Sequence, residues 1–251
     1  MSEGMKKIPW GKGIFRRTKR ITFALSNICN LADEHKRCPL SDPVMSKKTT
    51  LPTKVILETL EIAKKYDFRG CVGFHWYNEP TLDPRLSYLL KTTKEYLPHC
   101  TTFITTNGTL LTRQLVNDLI DLGLDWAMVS IYSKAEDERL RREGIFKAPI
   151  NITGKMQRLD GRLNLYGRDL KKHKPCYAPL YELMITHDAK LGLCCFDWKQ
   201  SETFGSLLDN NIEELLQKPE IWDAYERLSK ANRFMNVCKG CSFVRGEPPK
   251  K

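Results

Sequence analysis

Long apolar runs are missing from this chain of 251 residues, and no stretch approaches the roughly 20 apolar residues that a helix needs to cross a bilayer. The basic amino terminus is followed by no apolar segment of the kind a secretory signal carries, so a cytoplasmic protein with no membrane partner is expected. No repeat of fixed period is visible, which argues against a solenoid or propeller. Lysine and arginine outnumber acidic residues by 41 to 30, a net charge of +11, and Lys6, Lys7, Lys12, Arg16, Arg17, Lys19 and Arg20 concentrate part of it in residues 1–20. Such an arm could touch nucleic acid, but no aromatic residues are interleaved with the charges in the manner of a single-strand binder, and a solvated terminus accounts for it equally well. The nine cysteines are an odd number in a chain too long to need disulfide staples. Metal ligands plus a few buried thiols explain them better, with Cys71 and Cys100 read as core thiols.

Hydrophobic residues at 41% are sufficient for a sizeable core. Ile21 to Leu25 reads as a strand, Leu51 to Tyr66 as a helix, and Cys71 to Trp76 as a second strand. Leu82 to Leu97 has a helical pattern, Thr101 to Thr105 is β-rich, Leu111 to Leu122 is helical, and Trp126 to Tyr132 is the next strand. This alternation implies βα units on a parallel sheet with right-handed crossovers. It fades after Glu143, where Ile150 to Thr153 and Leu163 to Tyr166 are the candidate strands. From Lys171 the texture changes: Leu180 to Thr186 is strand-like, a helix is expected over Ile212 to Ser229, and the tail of Pro248, Pro249, Lys250 and Lys251 has the composition of a disordered end. The boundaries drawn are 1–20 for the arm, 21–170 for the αβ part, 171–245 for a smaller cysteine-rich unit and 246–251 for the tail.

Each strand of the first part ends in residues capable of chemistry. Asn27-Ile-Cys29 follows the first strand, Tyr77-Asn-Glu-Pro80 the second and Thr106-Asn-Gly108 the third, while Ser130 and Tyr132 stand at the fourth. Singly these are ordinary turn chemistry. Together they bring thiols, a carboxylate, amides and hydroxyls to one rim of a sheet, where barrel-type folds keep their sites. After the first strand the donors Cys29, His35 and Cys38 are spaced Cys-x5-His-x2-Cys. In the second part Cys176, Cys194 and Cys238-x-x-Cys241 supply four thiolates, a number that suits a structural zinc or an iron–sulfur cluster.

Two segments carry a family resemblance. Gly73-Phe-His-Trp-Tyr-Asn-Glu-Pro-Thr-Leu-Asp-Pro84 resembles the region of the Gly-Gly-Glu motif of radical S-adenosylmethionine enzymes, and Thr106-Asn-Gly-Thr-Leu-Leu-Thr112 resembles their third-strand motif. Cys194-Cys-Phe-Asp197, Phe204-Gly-Ser-Leu207 and Ile221-Trp222 resemble the SPASM/Twitch extension of that family, in its shorter, single-cluster Twitch form. The resemblance implies an incomplete (β/α) TIM-like barrel with a small carboxyl-terminal iron–sulfur extension. It implies a four-iron cluster at Cys29, His35 and Cys38, S-adenosyl-L-methionine held by Asn78, Glu79, Asn107 and Ser130, and one auxiliary four-iron cluster at Cys176, Cys194, Cys238 and Cys241. Cys195, beside Cys194, is not separable from it by sequence. The activity implied is reductive cleavage of the cofactor to a 5′-deoxyadenosyl radical, hydrogen abstraction from a small polar substrate and oxidation helped by the auxiliary cluster. A one-electron donor such as flavodoxin or ferredoxin would feed it.

Departures from the family pattern define the alternatives. The usual first motif, Cys-x3-Cys-x2-Cys, has no cysteine at its second position here, and His35 in the His-x-x-Cys register is the substitute ligand; imidazole in place of thiolate tends to raise a cluster's potential. Tyr77 and Asn78 occupy the places of the two glycines before Glu79, and Ala189 that of a glycine before the strand of the extension. Tyr77 and Arg168, the latter in a Leu163-Asn-Leu-Tyr-Gly-Arg168 segment similar to one carrying a substrate-binding arginine in the family, are the candidate substrate contacts; an exposed arginine in a basic loop is the competing reading. The alternatives to a small-molecule oxidation are a peptide-modifying maturase, a non-catalytic relative binding zinc through the carboxyl-terminal cysteines, and an RNA-modifying enzyme suggested by charge alone.

Overall fold

The computed structural model describes residue 15 and residues 17–35, 38–157, 174–197 and 199–241. Most of the basic arm, the segment with Leu163 to Tyr166 and Arg168, and the tail after Cys241 lie outside the described residues. The chain forms one eight-stranded sheet in the order β5-β4-β3-β2-β1-β6-β7-β8.

Strand β1 (Arg20–Phe23) sits in the middle of it. Ile21 and Phe23 are fully buried, as a strand covered on both faces requires. Helix α1 (Thr53–Lys65) buries Val55, Ile56, Leu60 and Ala63 and leads to β2 (Cys71–Gly73), which pairs parallel with β1. Helix α2 (Leu86–Tyr96) buries Leu86, Leu89 and Leu90 before β3 (Thr101–Thr106), parallel to β2. Each of these fully buried leucines contributes roughly 1.5–3 kcal/mol of transfer free energy. Thr112 caps α3 (Arg113–Asp121) by accepting from the Leu115 amide at 3.1 Å, and β4 (Trp126–Ile131) follows parallel to β3.

Helix α4 (Lys134–Arg142) has no counterpart in the sequence reading. Leu140 is its one buried residue, so no apolar stripe announces it; the Ser133 cap and the pairs of Arg139 with Glu136 and Glu143 hold it instead. Strand β5 (Asn151–Met156) then pairs parallel with β4 and forms one edge of the sheet.

At residue 174 the described chain resumes. A short helical turn, α5 (Ala178–Tyr181), precedes β6 (Glu182–Ile185), where a strand alone had been expected from Leu180; Pro179 at the start of the turn favours the helical φ. Strand β6 pairs parallel with β1, with Arg20 opposite Glu182 and Phe23 opposite Ile185, so the parallel part of the sheet has six strands. β7 (Lys190–Gly192) and β8 (Thr203–Ser206) continue it antiparallel. The sheet is open, an incomplete barrel. The turn from β6 to β7 places Ala189 at φ +60, the left-handed conformation for which glycine is the usual choice.

The helix expected over Ile212 to Ser229 is two helices, α6 (Ile212–Leu216) and α7 (Pro219–Ser229). Pro219 disfavours helical ψ in the preceding residue, and Lys218 is extended at ψ 130. The short α8 (Asn236–Lys239) carries Cys238.

Candidate functional site

Because β1 to β4 are parallel, their carboxyl ends meet on one rim, and the residues singled out there line one cleft of about 510 Å³. Cys29, His35, Cys38, Tyr77, Asn78, Glu79, Asn107 and Ser130 all face it, together with Trp76, Thr106 and Tyr132.

Asn27 shapes the cysteine loop. Its amide nitrogen donates to the Met45 and Lys47 carbonyls at 3.0 and 2.8 Å, and its amide oxygen accepts from the Thr49 amide at 2.8 Å. Cys29 and Cys38 belong to one apolar group with Leu40, Met45 and Tyr77. The Cys29 sulfur accepts from the Leu31 amide at 3.4 Å and from the Asn107 Nδ2 at 3.6 Å. Burial pushes the Cys29 thiol above its ordinary range, while those two donors pull it back. His35 is 3% exposed, with its ring 5.1 Å from that of Tyr132.

Glu79 is 2% exposed and links the loops after β1, β2 and β3. Its backbone amide donates to the Ile28 carbonyl at 2.9 Å. One carboxylate oxygen accepts from the Thr81 amide at 3.1 Å and from the Thr81 and Thr106 hydroxyls, each at 2.6 Å; the other accepts from the Asn107 amide at 2.6 Å. Burial still raises its affinity for a proton above that of an ordinary glutamate. The Asn107 side chain donates to Asn30 Oδ1 at 2.7 Å, a partner that no sequence motif indicated.

Two polar side chains in the cleft stand apart. Asn78 and Ser130 are 9% and 4% exposed, and among the described residues neither the Asn78 amide nor the Ser130 hydroxyl has a hydrogen-bond partner. Burying such groups unpaired costs about 1–3 kcal/mol each. Both line the cleft, where an amide that donates and accepts and a hydroxyl can recognise a polar ligand.

A second, small cavity lies between β7, α7 and α8 and is lined by Cys176, Cys194, Cys238 and Cys241, with Leu193, Leu228, Val237 and Arg233. Cys195 is not among its lining residues; its carbonyl points to the first cleft, accepting from Tyr77 Oη at 2.7 Å and Trp76 Nε1 at 3.2 Å. The Tyr77 hydroxyl, expected to contact substrate, is thus engaged with this loop. Burial pushes Cys194 well above the ordinary thiol range and Cys238 up to about 12. The Asp197 carboxylate ties the loop by accepting from Ser201 and Glu202 amides at 3.1 and 2.7 Å. Among the described residues, no three His, Cys, Asp or Glu side chains approach closely enough to hold a single metal ion. The four thiols that the sequence singled out in this part of the chain line one cavity, a donor set that suits a structural zinc or an iron–sulfur cluster. None of the nine cysteines is in a disulfide; Cys100 is buried in the core, its thiol donating to the Phe68 carbonyl at 3.0 Å, and Cys71 is half-buried. His75 packs edge-on against Phe103, 4.6 Å between ring centres, and does not line the cleft.

The chain is an open, partial αβ barrel joined to a smaller cysteine-rich unit. Residues 176–242 match the SPASM family, an iron-sulfur cluster-binding domain. Over 219 residues the chain is 23% identical to the S-adenosyl-L-methionine-dependent 2-deoxy-scyllo-inosamine dehydrogenase of Niallia circulans, covering 82% of this chain and 86% of that protein. It shares its fold with BtrN in complex with AdoMet and 2-DOIA, at a TM-score of 0.72 and 20% identity over 90% of this chain and 94% of that one. With the AdoMet-bound anSMEcpe the TM-score is 0.58 and the identity 13%, over 89% and 83% of the two chains.

Proposed function

We propose that this protein is a radical S-adenosylmethionine oxidoreductase that abstracts hydrogen from a small polar substrate and completes the oxidation with an auxiliary iron–sulfur cluster. The observation that carries the reading is the pair of buried groups on Asn78 and Ser130, without partners among the described residues, in the cleft that Cys29, His35 and Cys38 also line. The likeness to a dehydrogenase along four-fifths of the chain favours a small-molecule substrate over a peptide.

Cys29, His35 and Cys38 are the ligands of the first cluster in this reading, and Cys176, Cys194, Cys238 and Cys241 those of the second. A cluster held by Cys29, His35 and Cys38 would supply the electron that splits the sulfonium of S-adenosylmethionine into methionine and a 5′-deoxyadenosyl radical. The protein's part is binding and positioning. Asn78 and Ser130 orient the cofactor, and Glu79 holds the loops in register while offering negative charge to its amino group. Asn107 fixes the Cys29 sulfur, and Trp76 and Tyr77 form the wall between cleft and extension. A flavodoxin- or ferredoxin-type donor and a reducing, cytoplasmic setting follow from the chemistry; among the described residues no helix is long and apolar enough to cross a membrane.

The test is the iron, sulfide and zinc content of anaerobically purified protein and of a Cys29→Ala, Cys38→Ala double variant. About eight irons in the wild type falling to about four in the variant is expected for two four-iron clusters. Zinc alone, or four irons unchanged by the double substitution, sinks the reading and favours a non-catalytic, metal-binding relative.

A further inference from the structure

Arg233 lies in the second cavity, where no motif and no comparison assigns a role. It is 6% exposed and lines the cavity together with Cys176, Cys194, Cys238 and Cys241. Its Nε and Nη2 both donate to the Lys174 carbonyl, at 3.2 and 3.0 Å, which fixes the plane of the guanidinium. Leu193, Leu228 and Val237 line the same cavity. Burying a permanent cation in such a place costs several kcal/mol unless negative charge faces it. The cysteines on the wall of this cavity, Cys176, Cys194, Cys238 and Cys241, would supply that charge as thiolates when they ligate a cluster.

We propose that Arg233 is a positioning and charge-setting residue for the auxiliary cluster, a buried cation at the thiolate wall that makes the cluster easier to reduce. The proposal rests on reading the four-cysteine cavity as an iron–sulfur site. Its physical basis is Coulombic. Each electron accepted by a thiolate-ligated cluster adds negative charge, and a fixed positive charge at the same wall, poorly screened because it is buried, stabilises the reduced form. Hydrogen bonds to cluster sulfurs and a more positive net charge both move such potentials upward. That direction suits an acceptor of the electron left on an oxidised substrate. Lysine would retain the charge but not the planar fork that grips the Lys174 carbonyl.

The experiment compares the full-length wild type with Arg233→Met, Arg233→Gln and Arg233→Lys, each purified anaerobically, assayed for iron and titrated redox-potentiometrically with EPR detection. Parallel samples carrying Cys29→Ala and Cys38→Ala isolate the auxiliary signal. The neutral variants are expected to favour the oxidised cluster by at least tenfold, about 59 mV downward for one electron, with the lysine variant close to wild type. Loss of the cluster from both neutral variants but not from the lysine variant would also support an electrostatic role. An unchanged potential in a fully iron-loaded neutral variant, or loss of iron from all three, overturns the proposal. Absence of auxiliary iron from the wild type itself would instead overturn the functional reading beneath it.

Discussion

The hydroxyl of Tyr77 donates to the carbonyl of Cys195 at 2.7 Å, tying the wall of the first cleft to the loop that carries Cys194. Trp76 adds a second bond to the same oxygen at 3.2 Å, and its ring lies so close to Gly192 that an added Cβ there would sit 3.3 Å from it. Removing the tyrosine hydroxyl by Tyr77→Phe is expected to cost about 1 kcal/mol, a fall of about 2–4 °C in Tm. Iron content should be retained, while the product formed per S-adenosylmethionine cleaved drops. An unchanged ratio of product to cleaved cofactor would show that the link has no part in coupling the two sites.

Asn78 and Ser130 give a prediction of opposite sign for stability and binding. Asn78→Ala and Ser130→Ala each remove a buried polar group without a partner among the described residues, so thermal stability in the absence of cofactor should stay level or rise. The dissociation constant for S-adenosylmethionine should increase about tenfold in each, or about 1.4 kcal/mol. Calorimetric titration against the same samples used for melting would reveal both effects. Destabilisation with unaltered affinity would assign the two groups to the scaffold.

The four hydrogen bonds accepted by Glu79 make it sensitive to substitution by an amide. Glu79→Gln must set an NH₂ group against obligate donors such as the Asn107 amide and is expected to lose about 1–3 kcal/mol. Burial raises the folded-state pKa of Glu79 above its unfolded value of about 4.3, so the folded protein holds this proton more tightly. Its contribution to stability is complete below about 4.3 and disappears as the pH rises through the folded pKa. Affinity for the cationic cofactor should run the other way, increasing over that window. Denaturant midpoints and affinities across mildly acidic pH should show both slopes in the wild type and neither in Glu79→Gln.

His35 is tested by two substitutions. His35→Ala should lower iron at the first site without touching the auxiliary one. His35→Cys should hold the iron and shift the first cluster to a lower potential, since imidazole ligation raises it. Full iron and full cofactor cleavage in His35→Ala would remove His35 from the ligand set.

Much of this architecture was legible because strand and helix patterns are local. Ile21 to Leu25, Leu51 to Tyr66 and the runs down to Tyr132 are apolar at the periods of their elements, and the polar residues after each strand reach one rim through parallel pairing alone. Three things were hidden. Helix α4 carries one buried side chain, Leu140, and is held by ion pairs, which hydrophobic periodicity does not register. The pairing of β1 with β6 joins residues about 160 positions apart, and neither strand's composition names its neighbour. Arg233 stands in no motif, and its burial comes from packing among β7, α7 and α8.

Strand β6 lies against β1 in the same parallel sense as β2, then turns back into β7 and β8. The extension therefore furnishes a wall of the barrel itself. Cut away, it would bare the backbone donors and acceptors of β1 along a buried flank, an invitation to edge-to-edge aggregation. The two halves of the chain are not interchangeable cassettes: a graft of residues 176–241 onto another scaffold, or a deletion meant to isolate the first site, would carry off a stave of the barrel along with the cysteines.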